Sequence, residues 1–359
     1  MPVAEVLGQQ EAIRLLDVEL TSGLLSHAYM IWGPSGSGKM ALARGLALAA
    51  NCNTRQEQGP DDKGKLWYCG VCSNCVKLVG GVHPDFALLA PEGKSIGINQ
   101  IREMQARIAL RPGEGNLKTW VIRRAHTMTE EAQNCLLKVL EEPPGHALIM
   151  LLLDDPCMVL PTISSRCHSV RLGTVDRELL FQWGQSESGL GLEPERAHVL
   201  AALSEGLPGK MARLATDRTY FEVRERIIAL TRSVMWCGDG GKALTASEDL
   251  LDALKKAYAD AESEEDDAFL ETRTIAVPEG ACDVMASYMR DLFITALEGG
   301  SDALINVDYA SLISADAARA PAGQFSVWAE KCVDSGQAMA SNANTRLAMD
   351  DLMLSLALP

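Results

Sequence analysis

The chain has 359 residues, of which 47% are hydrophobic and 23% charged, so it is long enough for two or three globular domains. Its formal net charge of −15 argues against a free-standing nucleic-acid binder, because neutralising phosphates requires a clustered excess of lysine and arginine. The sequence shows neither a signal-peptide pattern nor an apolar run long enough to span a bilayer, so we expect a cytoplasmic protein without membrane contacts.

Five short apolar runs, rich in β-forming residues, follow one another along the first half of the chain, and the first four have helical patterns between them. The runs are Ala28–Trp32, Phe86–Leu89, 120–122, 148–153 and 169–172. Strands that alternate with helices favour a parallel sheet. The sequence therefore predicts an α/β module in this region.

Two helices of this module have distinct signals. The Ala- and Leu-rich segment 40–50 predicts a helix directly after a glycine-rich turn. Thr127, with Glu130 three residues later, predicts a capping box for a helix that ends before Pro143. The predicted buried face of this helix consists of Ala132, Leu136 and Leu140.

Strand signals fade after about residue 172, and helical patterns take their place. Short segments at 178–183, 193–203 and 210–216 predict a small helical second domain. From about residue 220 the pattern is helical again and predicts a third, all-helical domain, with breaks near 238–241, 278–280 and 299–300. The acidic run 262–267 is predicted to be a solvated surface or loop.

The first apolar run leads into a glycine-rich loop with the spacing of a phosphate-binding P-loop, formed by Gly33, Pro34, Ser35, Gly36, Ser37, Gly38 and Lys39. The glycines let backbone N–H groups turn inward around phosphate oxygens, and Lys39 supplies a positive charge. The next residue should be a serine or threonine that binds Mg²⁺, but it is Met40, which has no oxygen to offer. We therefore expect that ATP or ADP can bind but that its metal ion is poorly held.

The acids that a P-loop ATPase needs are also missing. The run 120–122 should deliver two carboxylates at its end, one for Mg²⁺ and one to position the attacking water. Arg123 and Arg124 stand there instead. Glu130 and Glu131 are poor substitutes, because both fall in the first turn of the next predicted helix, where capping explains them. We therefore expect that this site has lost ATP hydrolysis.

Three of the ten cysteines, Cys69, Cys72 and Cys75, follow one another with two residues between each pair, and Cys52 lies upstream at the end of the Ala-rich helix. In a cytosolic chain this spacing is typical of a metal site rather than of disulfides. We expect a structural Zn²⁺ bound by all four thiolates. An iron–sulfur cluster, or His83 as the fourth ligand, are the alternatives.

Together these features resemble the δ′/γ group of bacterial clamp-loader subunits. The resemblance covers the first two predicted domains and continues more weakly through 342–356. Besides the P-loop and the cysteine module, it is carried by the segments 6–9, 25–29, 134–143 and 162–167.

The resemblance implies three domains: an AAA+ P-loop domain at 1–173 with a zinc module at about 52–75, a small helical lid at 174–218, and a helical collar at 219–359. It implies a hetero-pentameric ring with γ/τ and δ subunits, as part of the DNA polymerase III holoenzyme. The sliding clamp and primer-template DNA would be reached through that complex.

Within this group the γ-type subunits hydrolyse ATP, whereas the δ′-type subunits serve as rigid partners. Met40 and the Arg123-Arg124 pair favour the δ′ type, as does the segment 206–209, where an ATPase subunit carries a sensing arginine. The resemblance also implies that Arg166 acts as an arginine finger on a neighbour's nucleotide. A structural salt bridge is the alternative for Arg166. The rival functions for the chain are an active γ/τ-like ATPase and a zinc-stabilised interaction protein.

Overall fold

The computed structural model describes residues 6–54, 66, 68–187, 189–217, 219–262, 277–298 and 303–358. The chain divides into two compact units, the first formed by 1–192 and 206–210 and the second by 193–205 and 211–359. The division into three domains with boundaries at 173 and 218 stays a prediction. Among the described residues, no helix is both long enough and apolar enough to cross a bilayer.

The first unit contains a five-stranded sheet in which every neighbouring pair is parallel. Its strands are β1 (Ala28–Trp32), β2 (Phe86–Leu89), β3 (Lys118–Ile122), β4 (Ala147–Leu153) and β5 (His168–Arg171). The order across the sheet is β2-β3-β4-β1-β5. All seven residues of the central strand β4 are buried, as expected for a parallel strand covered on both faces. The predicted α/β module is therefore confirmed.

Helices cover both faces of this sheet and form two separate cores. Successive residues of a strand alternate between the cores, because side chains of a strand point to opposite faces. Tyr29 and Ile31 face one core, and Met30 faces the other. The helices of the first unit are α1 (Gln10–Ser22), α2 (Lys39–Asn51), α3 (Ser73–Val79), α4 (Ile98–Ile108), α5 (Glu130–Glu141), α6 (Pro161–Ser164) and α7 (Arg177–Gln185).

The start of α5 differs from the prediction. Thr129, not Thr127, is the N-cap, and its hydroxyl accepts the Ala132 N–H at 3.3 Å. Thr127 ends a short 3₁₀ helix, Ala125–Thr127, and its hydroxyl donates to the Arg124 carbonyl. The capping box at Thr127 is therefore wrong, because this extra turn separates β3 from α5. The predicted buried face of α5 is confirmed, with exposed fractions of 0 to 2% at Ala132, Leu136 and Leu140.

The described part of the second unit contains helices and no strand, which confirms the predicted helical C-terminal region. The helices are α8 (Pro194–Leu203), α9 (Pro208–Thr216, which begins in the first unit), α10 (Tyr220–Met235), α11 (Gly240–Glu262), α12 (Pro278–Glu298), α13 (Ala310–Ala317), α14 (Ala322–Ala340) and α15 (Thr345–Ala357). The predicted break at 299–300 and the acidic run beyond Glu262 lie outside the described residues.

Candidate functional site

The predicted phosphate loop lies between β1 and α2, which begins at Lys39. The backbone φ angles of its three glycines, Gly33, Gly36 and Gly38, are 146°, 85° and 99°. Residues other than glycine rarely adopt such positive values. A Cβ atom at Gly33 would lie 2.2 Å from the Leu172 carbonyl oxygen, so no other residue fits there. Pro34 and Ser35 are exposed. The strand, loop and helix thus have the arrangement that a P-loop requires.

The Lys39 ammonium makes three contacts with residues that the structure describes. It donates to the carbonyl oxygens of Gly33 and Pro34 at 2.5 and 3.0 Å. It also forms a salt bridge of 2.7 Å with Asp154 Oδ1. Asp154 directly follows β4, the neighbour of β1, and the Gly33 N–H donates to the Leu153 carbonyl beside it at 3.3 Å. Sequence reasoning did not assign Asp154 to this loop.

A second segment of the first unit packs directly on the loop. The Gly209 N–H donates to the Gly36 carbonyl oxygen at 2.8 Å. A Cβ atom at Gly209 would lie 2.9 Å from Gly36 Cα, so the two backbones approach too closely for a side chain. Within the loop, the Ser37 side chain is 1% exposed, and its hydroxyl has no hydrogen-bond partner among the described residues. The loop is therefore covered on the side of Gly36.

The groups that should hold the metal ion and the water differ from those of an ATPase. Met40 is partly buried and packs against the core formed with α1 and α2. Arg123 and Arg124 follow β3, and the Arg123 N–H donates to the Leu89 carbonyl at 2.8 Å. Glu130 and Glu131 are exposed in the first turn of α5, where their negative charges interact favourably with the positive end of the helix dipole.

The four predicted metal ligands come together. The Sγ atoms of Cys52, Cys69, Cys72 and Cys75 all lie within 4.8 Å of one another, and those of Cys69 and Cys75 are 3.9 Å apart. Tetrahedral Zn²⁺ with Zn–S bonds of about 2.3 Å places its sulfurs about 3.8 Å apart, so this spacing fits. His83 is not part of the group, and its Nδ1 accepts the Asp85 N–H at 3.1 Å.

Local structure positions these thiols. Cys52 caps the C-terminus of α2, Cys72 is the N-cap of α3, and Cys75 lies in the first turn of α3. The Cys69 N–H donates to Cys52 Sγ at 3.3 Å, and the Cys72 N–H donates to Cys69 Sγ at 3.2 Å. Such bonds favour thiolates, which are the form that binds metal.

The pKa values of two of these thiols shift in opposite directions. The pKa of Cys69 is lowered to about 6, first by a hydrogen bond with the Thr54 hydroxyl and then by the Cys72 N–H. Burial raises the pKa of Cys75, so this thiol needs a nearby cation to ionise at neutral pH. A bound divalent metal ion supplies that charge. The donor set therefore fits a closed four-sulfur metal site.

Buried polar contacts stabilise the module and the loop beside it. The Asn74 side chain donates to the Asn51 carbonyl at 2.9 Å and so joins α3 to the end of α2. The Asp85 carboxylate accepts the N–H groups of Gly113, Glu114 and Gly115 at 2.8 to 2.9 Å. Burial alone raises the pKa of Asp85, but these three bonds outweigh it, so the pKa lies below its ordinary value.

Arg166 lies just after α6 and is paired within the chain. Its Nη2 forms a salt bridge of 2.7 Å with Glu141 Oε1, at the end of α5. Its Nη1 donates to the Thr162 carbonyl at 2.9 Å and lies 3.4 Å from the Ser165 hydroxyl. The Arg166 side chain is 36% exposed and that of Glu141 50%. The guanidinium is therefore at the surface, held by a partner that solvent also reaches.

Comparison with known proteins finds similar sequences among DNA polymerase III subunits. A sequence model of the family described as "DNA polymerase III, delta subunit" matches residues 8–176. A DNA polymerase III subunit gamma/tau of Mycobacterium tuberculosis H37Rv is 36% identical over 166 residues, which are 46% of this chain and 27% of the relative. A DNA polymerase III subunit delta′ of Pseudomonas aeruginosa is 35% identical over 192 residues, 53% of this chain and 56% of the relative.

A crystal structure of a DNA polymerase III gamma subunit-related protein from Thermotoga maritima is 16% identical, with a TM-score of 0.40, and the match covers 96% of this chain and 98% of that one. The chain spans about a quarter of the length of the gamma/tau relative and little more than half of the delta′ relative. Its identity to the gamma/tau and delta′ relatives is nearly equal. Over residues 8–176, the chain is similar in sequence to bacterial DNA polymerase III subunits of both the δ′ and the γ/τ kind.

Proposed function

We propose that the chain is the δ′-type subunit of a clamp loader, in a hetero-pentameric ring with γ/τ and δ subunits. In this role it helps to load the sliding clamp onto primer-template DNA and does not hydrolyse ATP itself. The curated relatives that match this chain are DNA polymerase III subunits of both the gamma/tau and the delta′ kind, which supports membership of such a complex.

The state of the phosphate loop is the observation that carries the δ′ assignment. The loop keeps its shape, but Met40 packs into the core and two arginines follow β3. The Lys39 ammonium is paired with Asp154. A P-loop ATPase needs a hydroxyl and a carboxylate on the metal ion and a group that orients the attacking water. A chain that keeps the scaffold without these groups suits a partner subunit.

Arg166 is the residue through which this subunit would act on a neighbour. A planar guanidinium can donate two parallel hydrogen bonds to phosphate oxygens as charge develops on them, which a lysine ammonium cannot reproduce. The partial exposure of Arg166 and the short α6 before it support this role. Engagement with a neighbour's γ-phosphate requires that the guanidinium leave Glu141.

The four-cysteine module would hold Zn²⁺ in a structural role. Cys52, Cys69, Cys72 and Cys75 complete a tetrahedral shell, so no position is left for a reacting water. When bound, the metal ion crosslinks the end of α2 to the start of α3. Its contribution is therefore to the fold of the first unit rather than to chemistry.

Reconstitution tests this function. The purified chain is mixed with candidate γ/τ and δ subunits, and ring assembly is measured by size-exclusion chromatography together with clamp- and DNA-stimulated ATP turnover. We expect a complex whose turnover requires this chain, whereas the chain alone shows none. Absence of a complex would instead favour a zinc-stabilised interaction protein outside replication.

An active γ/τ-like ATPase is the second candidate, favoured by the 36% identity to the M. tuberculosis gamma/tau subunit. It requires that another carboxylate hold the metal ion, and Asp154 is the one that contacts the loop lysine. ATP turnover by the isolated chain separates this candidate from the δ′ type.

A further inference from the structure

The Lys39 ammonium has no donor left for a ligand. A lysine ammonium can donate three hydrogen bonds. Here the Gly33 and Pro34 carbonyls and the Asp154 carboxylate accept them, at 2.5, 3.0 and 2.7 Å. A phosphate group can gain a bond from Lys39 only by displacing one of these three acceptors.

Asp154 is the acceptor that can be displaced, because the other two are backbone groups of the loop itself. Its position is fixed by the sheet, since Trp32 of β1 lies beside Leu153 of β4 in the parallel register. Its side chain is 46% exposed, whereas that of Lys39 is 13% exposed. The carboxylate is thus the more solvent-exposed partner of the pair.

We propose that Asp154 is an internal substitute for the nucleotide phosphate and is the residue that keeps this loop closed to nucleotides. A diphosphate that displaced the carboxylate from Lys39 would still lie close to its negative charge, with no Mg²⁺ ligand at Met40 to offset it. The backbone contact between Gly209 and Gly36 covers the same loop from another side. The loop keeps the glycine backbone angles of a phosphate loop, so the barrier that Asp154 adds is electrostatic and acts at Lys39.

A competing role for Asp154 makes the opposite prediction. A carboxylate at the end of β4 can replace the missing metal ligands, in which case its removal weakens Mg²⁺-dependent nucleotide binding. If Asp154 instead blocks the loop, its removal strengthens binding, and most clearly without Mg²⁺. The sign of the effect therefore separates the two roles.

The test measures binding of the fluorescent N-methylanthraniloyl derivative of ADP to the full-length chain, with either EDTA or Mg²⁺ present. We expect Asp154→Ala to bind this probe at least about tenfold more tightly than the wild type in EDTA, because one Lys39 donor is freed and one negative charge removed. Asp154→Asn, which keeps an oxygen acceptor without the charge, should show a smaller gain. The double variant Lys39→Ala/Asp154→Ala should lose the gain.

Asp155→Asn is the matched control, since it removes the same charge at the next position. The Asp155 side chain caps a 3₁₀ helix by accepting the Cys157 N–H, and asparagine can keep that bond. Its affinity should equal that of the wild type.

Unchanged or weaker binding by folded Asp154→Ala overturns the inference, and weaker binding with Mg²⁺ alone assigns Asp154 to the metal ion. The inference deepens the nucleotide-site part of the proposed function, but the assay uses no partner subunit, so a failure of ring assembly leaves it standing.

Discussion

In the proposed function, Arg166 would have two partners at different times. In the isolated chain Glu141 and the Thr162 carbonyl accept its hydrogen bonds, and a neighbour's phosphate would need the same nitrogen atoms. An exposed ion pair contributes only about 0 to 1 kcal/mol to stability, so releasing Arg166 from Glu141 costs little. The pair can therefore hold the guanidinium in place without preventing its use.

Arg166→Ala should lower the ATP turnover of the reconstituted ring by at least about tenfold, since arginine fingers supply about 10³-fold or more in other phosphoryl-transfer systems. Arg166→Lys should lower it less. Ring assembly and the melting temperature of the chain should stay near wild type, because the lost ion pair is exposed.

Glu141→Gln is the matched control for Arg166. It breaks the same ion pair but keeps the guanidinium, so turnover should equal or exceed that of the wild type. If Arg166→Ala and Glu141→Gln instead destabilise the chain equally and leave turnover unchanged, Arg166 is a structural residue.

Asp85 is the side chain whose loss should affect stability most clearly. Its buried carboxylate binds three backbone N–H groups, and an amide in its place would direct an NH₂ group at donors. Asp85→Asn should lower the free energy of unfolding by about 1.5 to 3 kcal/mol at pH 7, the usual size for hydrogen bonds to a charged group. Chemical denaturation of both proteins measures it.

The pH dependence provides an internal check on this prediction. Because the pKa of Asp85 is lowered in the fold, its stabilisation is fully present above the unfolded value of about 3.9 and is lost as pH falls through the folded pKa. The difference between wild type and Asp85→Asn should therefore shrink below about pH 4. A difference that stays constant down to pH 3 would contradict the assigned role of the carboxylate.

At the scale of elements, we expect α3 to depend on a metal ion bound by the four cysteines. It has only seven residues, and isolated helices of that length are not stable in water. Its N-cap is Cys72 and its first turn contains Cys75, so two of the four ligands belong to the helix itself. A metal ion bound there would add stability that so short a helix lacks by itself.

The purified protein should contain about one Zn²⁺ per chain, and Cys72→Ser should lose most of it and lower the melting temperature. Elemental analysis and thermal unfolding measure both effects. Cys157→Ser is the control, because Cys157 is exposed and outside the group, and should change neither. Iron in place of zinc would indicate a cluster, and a metal-free but equally stable wild type would remove the structural role altogether.

The elements of the first unit could be predicted because their signals are local. The strand β1 matches the prediction residue for residue, and the loop after it follows from glycine spacing. The N-cap of α5 could not be located, because the 3₁₀ turn before it moves the start of the helix to Glu130.

The contact between Lys39 and Asp154 could not be predicted either. It depends on β4 lying next to β1, and hydrophobic periodicity does not specify which strands are neighbours. The approach of Gly209 to Gly36 likewise joins segments that are far apart in sequence. The sequence analysis thus identified the residues of the loop but not Asp154 and Gly209, which form hydrogen bonds with it.

At the scale of the whole molecule, charge limits what the chain does alone. A net charge of −15 repels the phosphates of DNA, so in the proposed complex any affinity for primer-template DNA would come from partners that carry an excess of lysine and arginine. In the proposed function nucleotide turnover would take place on other subunits, because this chain offers a phosphate loop and a surface arginine without the metal ligands of an ATPase.

The isolated chain should therefore hydrolyse ATP at a rate indistinguishable from a buffer blank, with or without clamp and DNA. Three requirements of phosphoryl transfer are unmet together: Met40 offers no metal ligand, arginines follow β3, and Lys39 is engaged by Asp154. Met40→Thr should not restore turnover, because it repairs only the first of these. Phosphate release measured over hours at high protein concentration provides the necessary sensitivity. Turnover that rises with DNA and clamp, and that disappears in Lys39→Ala, would show an active ATPase and move the chain to the γ/τ type.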